Sequence, residues 1–344
     1  MQYELTDILT KLGFLLSFLF NSFFIYLTVI YIQNVSGLYK KLVIFFSIVG
    51  ILFSGLEVYA RPFAHNFNNS LFYFSLNNSG PESLVIFAIM LWAGFYVVIV
   101  SSIAVQFIYR YMCLLDSEKT MNMSSLKNLG WMFYPVLPGA FYTGALYMLC
   151  WPDEYSDSYV RNVIFDNYQL DVANLRRFVM TPYNTDESIR WNNFTFHVIA
   201  AVLVCFHYSI IIFCGFRMHI SMKHELEKFS VQNRKLQKQF FKALLFQSLG
   251  PSIFIFMPAV PVLLSPLLPP VLGIKINWQT GWLYSFIGVY PPFDSIAFMV
   301  IVTEYKVLIR RGRFLKLFNK NHKSTVHASG TSQMNNRSSA LDST

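Results

Sequence analysis

Apolar runs of about 20 residues, the length needed to cross a bilayer as a helix, recur along this chain between short polar segments. Seven can be marked, at 12–32, 42–60, 83–108, 129–150, 194–216, 240–264 and 279–303. The second is the shortest. The pattern predicts an all-α membrane protein, a seven-transmembrane bundle over 12–303 that follows a short leading segment, 1–11. The stretch 151–193 is too polar and too long to be a tight turn, and reads as a large loop. No cleavable leader is expected, because Glu4 and Asp7 stand where a signal peptide carries positive charge. The first span is therefore expected to stay in the membrane as a signal anchor.

Composition removes the soluble alternatives. Only 13% of residues are charged and 54% are hydrophobic, whereas a soluble domain carries about a quarter charged residues. The four cysteines, Cys113, Cys150, Cys205 and Cys214, do not suggest a disulfide framework, and none lies near the start of the third span. His197 and His207 fall in the fifth span too far apart to share a metal. No HExxH, Walker or GxSxG pattern is present. The chain offers no cofactor or metal site, no enzyme chemistry and no nucleic-acid partner.

Charge sets the orientation. With the N-terminus outside, the inner segments 33–41, 109–128 and 217–239, Lys242 and the C-terminal tail hold 20 of the 27 Lys and Arg residues. Basic residues resist translocation, so an N-out, C-in arrangement is expected. The segment 151–193 is net acidic, as an outer loop can be. Asn68, Asn77 and Asn193 head glycosylation sequons on that outer side. Asn34, Asn122 and Asn336 match the same pattern on the inner side, so the motif does not decide topology.

Several polar residues stand out against this apolar background. Arg110, between Tyr109 and Tyr111, closes the third span at its cytoplasmic end. A guanidinium there can pair with neighbours at rest and be released to a cytoplasmic partner, although arginines also snorkel to lipid headgroups. Glu57 and Arg61 are four residues apart on the second span, a spacing that favours a structural ion pair at the outer mouth. Glu57 could equally face a ligand vestibule. Asp294 is an acid within the apolar seventh span, just after Pro291 and Pro292. Its placement suggests a switch at a bent helix, or a hydrogen-bonded acid that stabilises the bundle. Lys235, Lys238 and Lys242 share a helical face leading into the sixth span. They could dock an acidic partner, or hold the helix to anionic lipid. After the seventh span, 304–320 reads as an amphipathic juxtamembrane helix and 321–344 as a disordered cytoplasmic tail.

Taken in order and at matching spacing, a set of blocks resembles the nematode serpentine chemoreceptors of the str class, which include the diacetyl odorant receptor. The blocks are Gly37-Leu38-Tyr39-Lys40-Lys41-Leu42; Glu57 with Arg61, Pro62 and His65; and Phe107-Ile108-Tyr109-Arg110-Tyr111. They continue with Leu236-Gln237-Lys238-Gln239-Phe240-Phe241-Lys242-Ala243-Leu244, then Gln247 and Pro251, and end with Tyr290-Pro291, Asp294 and Glu304-Tyr305. Two positions depart: Ser295 stands where the family usually has proline, and Lys306 where it often has arginine.

The resemblance implies a G-protein-coupled receptor of sensory cilia, in the plasma membrane, that binds a small and often volatile chemical. It implies a heterotrimeric G protein as partner, with a kinase or arrestin at the hydroxyl-rich tail. Depth along the spans suggests Phe87, Met90, Leu91, Phe95, Phe196, His197, Met257, Trp282 and Phe286 as ligand contacts. A ligand-gated channel of the insect odorant-receptor kind would want the opposite topology. A transporter would want internal repeats that are absent from the sequence.

Overall fold

In the computed structural model, residues 2–32, 37–116, 120, 124–225, 230–288 and 290–311 are described. The long elements are helices because a chain in hydrocarbon must satisfy its backbone groups within itself. They are α1 (Gln2–Ile30), α2 (Gly37–Ala60), α3 (Glu82–Leu115), α7 (Trp191–Glu225) and α8 (Val231–Pro251). A π-turn over Ser252–Phe256 carries α8 into α9 (Met257–Leu264). Among the described residues, five helical stretches are long and apolar enough to cross a membrane, one of them formed by α8 with its continuation. The fourth and seventh expected spans are each broken. The fourth is α4 (Ser125–Phe133) followed by α5 (Val136–Leu149), interrupted at Tyr134-Pro135. The seventh is α11 (Tyr284–Ile287) followed by α12 (Tyr290–Ile301). The expected juxtamembrane helix corresponds to α13 (Thr303–Arg311); the rest of 304–320 and the tail 321–344 lie outside the described residues.

Side chains of neighbouring helices donate to the backbone beside these breaks. Ser101 on α3 donates to the Pro135 carbonyl at 3.3 Å. Asn21 on α1 donates to the Pro291 carbonyl at 3.3 Å. Close approach does the rest. Where α3 crosses α5, a Cβ on Gly94 would come within 2.9 Å of the Gly139 carbonyl oxygen, and one on Gly139 within 3.2 Å of the Gly94 oxygen. Small residues at a crossing let helix backbones approach in the absence of a hydrophobic drive between helices.

The all-α expectation needs one correction. Residues 61–81, the loop 151–193 and the segment 277–278 build a four-stranded antiparallel sheet, in the order β3-β2-β1-β4. Its strands are β1 (Pro62–Phe67), β2 (Ser70–Ser75), β3 (Arg177–Met180) and β4 (Asn277–Trp278). The β1–β2 hairpin turns through Asn68-Asn69, with Asn68 in the left-handed region at φ 45°, where asparagine is one of the tolerated residues. The side chains alternate with the two-residue period of a strand. Leu71, Tyr73, Phe178 and Met180 join the core of the helix bundle. Phe63, Phe72, Phe74 and Val179 face the other way, packing with Val160, Ile164 and Tyr168 of α6 (Glu154–Tyr168). Sheet and helix thus form a two-layer roof. All four cysteines are free, so ion pairs rather than a disulfide hold its edges: Arg177 grips Asp157 through both carboxylate oxygens, and Arg190 pairs with Asp153.

The Arg61–Glu57 pair expected at the outer mouth is not formed. Arg61 adopts φ 42° as α2 ends before Pro62, which swings its side chain to Asp7 at 3.2 Å. Glu57 stays buried beside the Gly288 backbone and accepts a hydrogen bond from Thr10. The Asn193 sequon is also unavailable to a glycan. That side chain is buried, donating to the Leu149 carbonyl at 2.7 Å and accepting from the Thr181 amide at 3.0 Å.

Two consequences are testable. Gly139→Leu should abolish folding of the receptor, read as lost surface expression, whereas Gly144→Leu should be tolerated because nothing lies within 4 Å of a Cβ there. His65 in the roof is buried and shares a hydrogen bond with the Tyr168 hydroxyl at 2.8 Å. Burial pushes its pKa down to about 4. The unfolded chain therefore binds the proton first, and the stabilisation is full above about pH 6.5 and lost as pH falls toward 4. Thermal melts should show the roof weaker by about 1–2 kcal/mol at pH 5 than at pH 7, with the difference reduced in His65→Asn.

Candidate functional site

Beneath the roof lies a cavity of about 230 Å³ between α3, α5, α7, α9 and α11. A dry cavity of about 150 Å³ already holds benzene, so this one has room for a somewhat larger apolar molecule. From α3 it takes Trp92, Ala93, Tyr96 and Val97; from α5, Tyr142 and Leu146; from α11, Tyr284. Leu71, Tyr73 and Met180 of the sheet close it from outside. The π-turn and α9 supply Phe256, Val262 and Leu263 among others.

Three enclosed polar atoms of the lining residues are unpaired among the described residues. Trp92 Nε1, Tyr96 OH and His197 Nε2 are buried and have no hydrogen-bond partner. His197 Nδ1 lies 2.8 Å from the Asn193 carbonyl, which only accepts, so Nδ1 is the donor and Nε2 of a neutral ring presents a lone pair. The Leu263 carbonyl approaches the ring without forming a hydrogen bond to Nε2. Each of the three atoms belongs to a residue of the lining but is itself enclosed, so two donors and one acceptor lie just behind the cavity surface. Buried polar groups left unpaired are costly, and a ligand that pairs them recovers that cost.

Sequence depth found part of this wall. Phe196 and His197 line the cavity, but Phe87, Met90, Leu91, Phe95 and Met257 do not. Phe87 and Met257 are largely exposed, at 54% and 68%, on the outer surface of their helices. Phe95 turns toward α2 and stacks on Phe53 at 6.3 Å. The error is one of helical phase, since each residue rotates the face by about 100° and the cavity side of α3 carries 92, 93, 96 and 97. The side chains of Trp282 and Phe286 lie outside the described residues.

Midway down the bundle, Asp294 is buried and accepts from Gln247 on α8 at 3.1 Å; its other oxygen has no partner. The next residue, Ser295, donates to Asn21 Oδ1 at 2.6 Å, and Asn21 also donates to the Ser17 carbonyl at 2.8 Å. A proline at 295 could not make that tether. Pro291 packs on α2 at Gly50, where a Cβ would come within 3.2 Å of it.

At the inner end, Arg110 is only 5% exposed. Its guanidinium sits 3.3 Å from the ring centre of Tyr39 and 4.0 Å from that of Phe240. Among the described residues it forms no ion pair; its one hydrogen bond is a long 3.5 Å contact to Gln237. Tyr109 is buried and stacks on Tyr39, while Tyr111 accepts from Arg217 at 3.5 Å. Lys235, Lys238 and Lys242 are exposed on α8. Gln239 on the same helix bonds both the hydroxyl and the amide of Thr303, at 2.7 and 3.0 Å. The aromatic and amide partners of Arg110 had no acidic motif to mark them in the sequence.

These features have the form of a helical seven-transmembrane receptor bundle of the G-protein-coupled kind, and the squid rhodopsin crystal structure superposes on it with a TM-score of 0.55. That likeness covers 90% of this chain and 80% of the other at 11% identity, so it speaks to the fold. Residues 6–310 match the family described as serpentine type 7TM GPCR chemoreceptor Str. G-protein coupled receptor str-33 of Caenorhabditis elegans is 36% identical over 314 residues, 89% of this chain and 90% of that one. Serpentine receptor class r-10 of the same organism is 26% identical, over 78% of this chain and 80% of its own. The chain belongs to the Str family of nematode serpentine chemoreceptors. It is a multi-pass membrane protein and a G-protein-coupled chemoreceptor, with a small molecule and a G protein as the partners that family implies.

The Asn21 tether yields a direct expectation. Asn21→Ala leaves the Ser295 hydroxyl without its acceptor and removes the second donor to the Pro291 carbonyl, and should destabilise the purified receptor by about 1–3 kcal/mol, read as a lowered melting temperature. Ser295→Ala should cost less.

Proposed function

We propose that this protein is a chemosensory, olfactory receptor of the sensory cilium membrane that binds a small uncharged chemical in the cavity under the roof and activates a heterotrimeric G protein. In this reading seven segments cross the bilayer, with the N-terminus outside and the C-terminus in the cytoplasm, as the distribution of basic residues favours. The observation that carries the proposal is the cavity itself, an apolar space whose unpaired polar atoms are Trp92 Nε1, Tyr96 OH and His197 Nε2. Such a wall suits a compact apolar molecule bearing an oxygen function.

The coupling runs along helices that both ends share. Helix α3 carries Trp92 and Tyr96 at the cavity and Arg110 at the inner end; α8 carries Phe240 and Gln237 against that arginine and continues through the π-turn to the cavity wall. A ligand shifts the equilibrium only by preferring one packing. Filling the cavity against Phe256 and Val262 would favour a packing in which α8 swings out about the π-turn and its prolines. Arg110 would then lose Phe240 and Gln237 and become available to the G protein. The lysines Lys235, Lys238 and Lys242 would meet acidic surface on that partner or anionic lipid. Nucleotide exchange occurs on the partner; the receptor makes and breaks no covalent bond. A kinase and arrestin would act at the hydroxyl-rich tail.

The test is a panel of volatile alcohols, ketones and esters applied to cells expressing the receptor, read as calcium or cyclic nucleotide. Arg110→Ala should abolish the response at equal surface level. His197→Phe and Trp92→Phe should shift the effective concentration at least tenfold, with the maximum retained at high dose. A direct ionic current that survives blockade of G proteins would replace this reading with a channel.

A further inference from the structure

The cavity wall is not closed on every side. The sheet residues above it are buried, and so are Trp92, Val97, Tyr142, Phe196 and Tyr284. Four lining residues are exposed: Ala201 and Cys205 on α7, and Val260 and Leu264 on α9. Each pair is spaced four residues apart, so each forms a stripe along its own helix. Two stripes from two helices bordering one cavity are the rims of a slot. Both rims are apolar, and the surface around them carries the exposed side chains of Val202, Phe206 and Met257. All of these lie in stretches apolar enough to cross a membrane. The exposed part of the wall therefore faces lipid, while the side that faces water is covered by a sheet with a helix packed over it.

We infer that an uncharged, apolar ligand enters the cavity sideways from the bilayer, through the slot between α7 and α9. The inference rests on the cavity being the ligand site. The route selects ligands before they touch the receptor, because each added methylene enriches a molecule in hydrocarbon by about fourfold, while a charged group excludes it. One rim is also built to move. Helix α9 follows the π-turn at Ser252–Phe256 and carries Pro258 and Pro261, and both devices remove regular backbone hydrogen bonds. The rim on α7 offers small side chains, Ala201 and Cys205, which leave the gap open.

Photolabelling tests the route directly. The full-length receptor in lipid nanodiscs is exposed to trifluoromethyl-phenyl-diazirine, a small uncharged carbene precursor that partitions into lipid, and insertion sites are mapped by mass spectrometry. Label is expected on Tyr142 and Phe196 in the cavity, and on Ile212 and Phe213 at the lipid face. Ala201→Phe with Val260→Trp fills the slot from its exposed side. Cavity labelling should then fall at least fivefold, with labelling of Ile212 and Phe213 unchanged. Leu264→Trp is a milder plug, to be used if the double variant melts early, and should reduce cavity labelling in the same direction. The trimethylammonium analogue of the probe, added from the aqueous side, should leave the cavity unlabelled. Cavity labelling that persists in the plugged variants, or that appears with the charged probe, would overturn the lateral route while leaving the cavity as a ligand site. Absence of cavity labelling in the unmodified receptor would overturn both.

Discussion

A guanidinium buried at the end of the bundle away from the roof, without a counter-charge among the described residues, constrains much of this structure. Moving a cation out of water is expensive unless something replaces its hydration. Here the replacement is two aromatic faces, Tyr39 from α2 and Phe240 from α8, set edge to face around Arg110 of α3. Such contacts are worth about 0.5–2 kcal/mol each. Three helices meet at this one group. The Gln239–Thr303 clamp ties α13 into the same closed packing.

The outer end is governed by the opposite requirement, that an apolar space be shielded from water. The roof achieves this with strands rather than with a loop. Its sheet has two apolar faces, one over the cavity and one under α6, so neither face is left to solvent. A loop of equal length could not cover the cavity without leaving its own backbone groups unpaired. Between the roof and Arg110, Asn21 of α1 bonds the backbone and the Ser295 hydroxyl of α12, and Gln247 of α8 donates to Asp294. Asn21 is the centre of that arrangement, with hydrogen bonds to Ser17, Pro291 and Ser295.

Breaks in the helices therefore have specific neighbours. Pro135 is met by Ser101, and Pro291 by Asn21. The π-turn is met by Tyr208, whose hydroxyl lies 3.0 Å from that of Ser252. Each break is met by a polar side chain from a neighbouring helix.

What the sequence determined by itself was whatever depends on composition and local period. Long apolar runs with few charges can only be membrane helices, and Arg110, Asp294, Pro291 and the lysines of α8 were visible because polar residues are rare against that background. The hairpin was legible in principle, since Asn68-Asn69 separates two runs rich in aromatics, but a chain of apolar helices draws attention away from six-residue strands. Its pairing with 177–180 and 277–278 was not legible, because antiparallel partners a hundred or two hundred residues apart leave no periodic mark. The faces of the helices were equally hidden. In water an amphipathic stripe tells inside from outside, whereas in a bilayer both faces are apolar, so Phe87 and Met257 looked as suitable as Phe196 and His197. Arg61 met Asp7 rather than Glu57 because the chain turned at the end of α2, which local spacing does not record. Only the packed structure decided which side chains meet, since that depends on the rotation of each helix against its neighbours and on contacts between segments far apart in the chain.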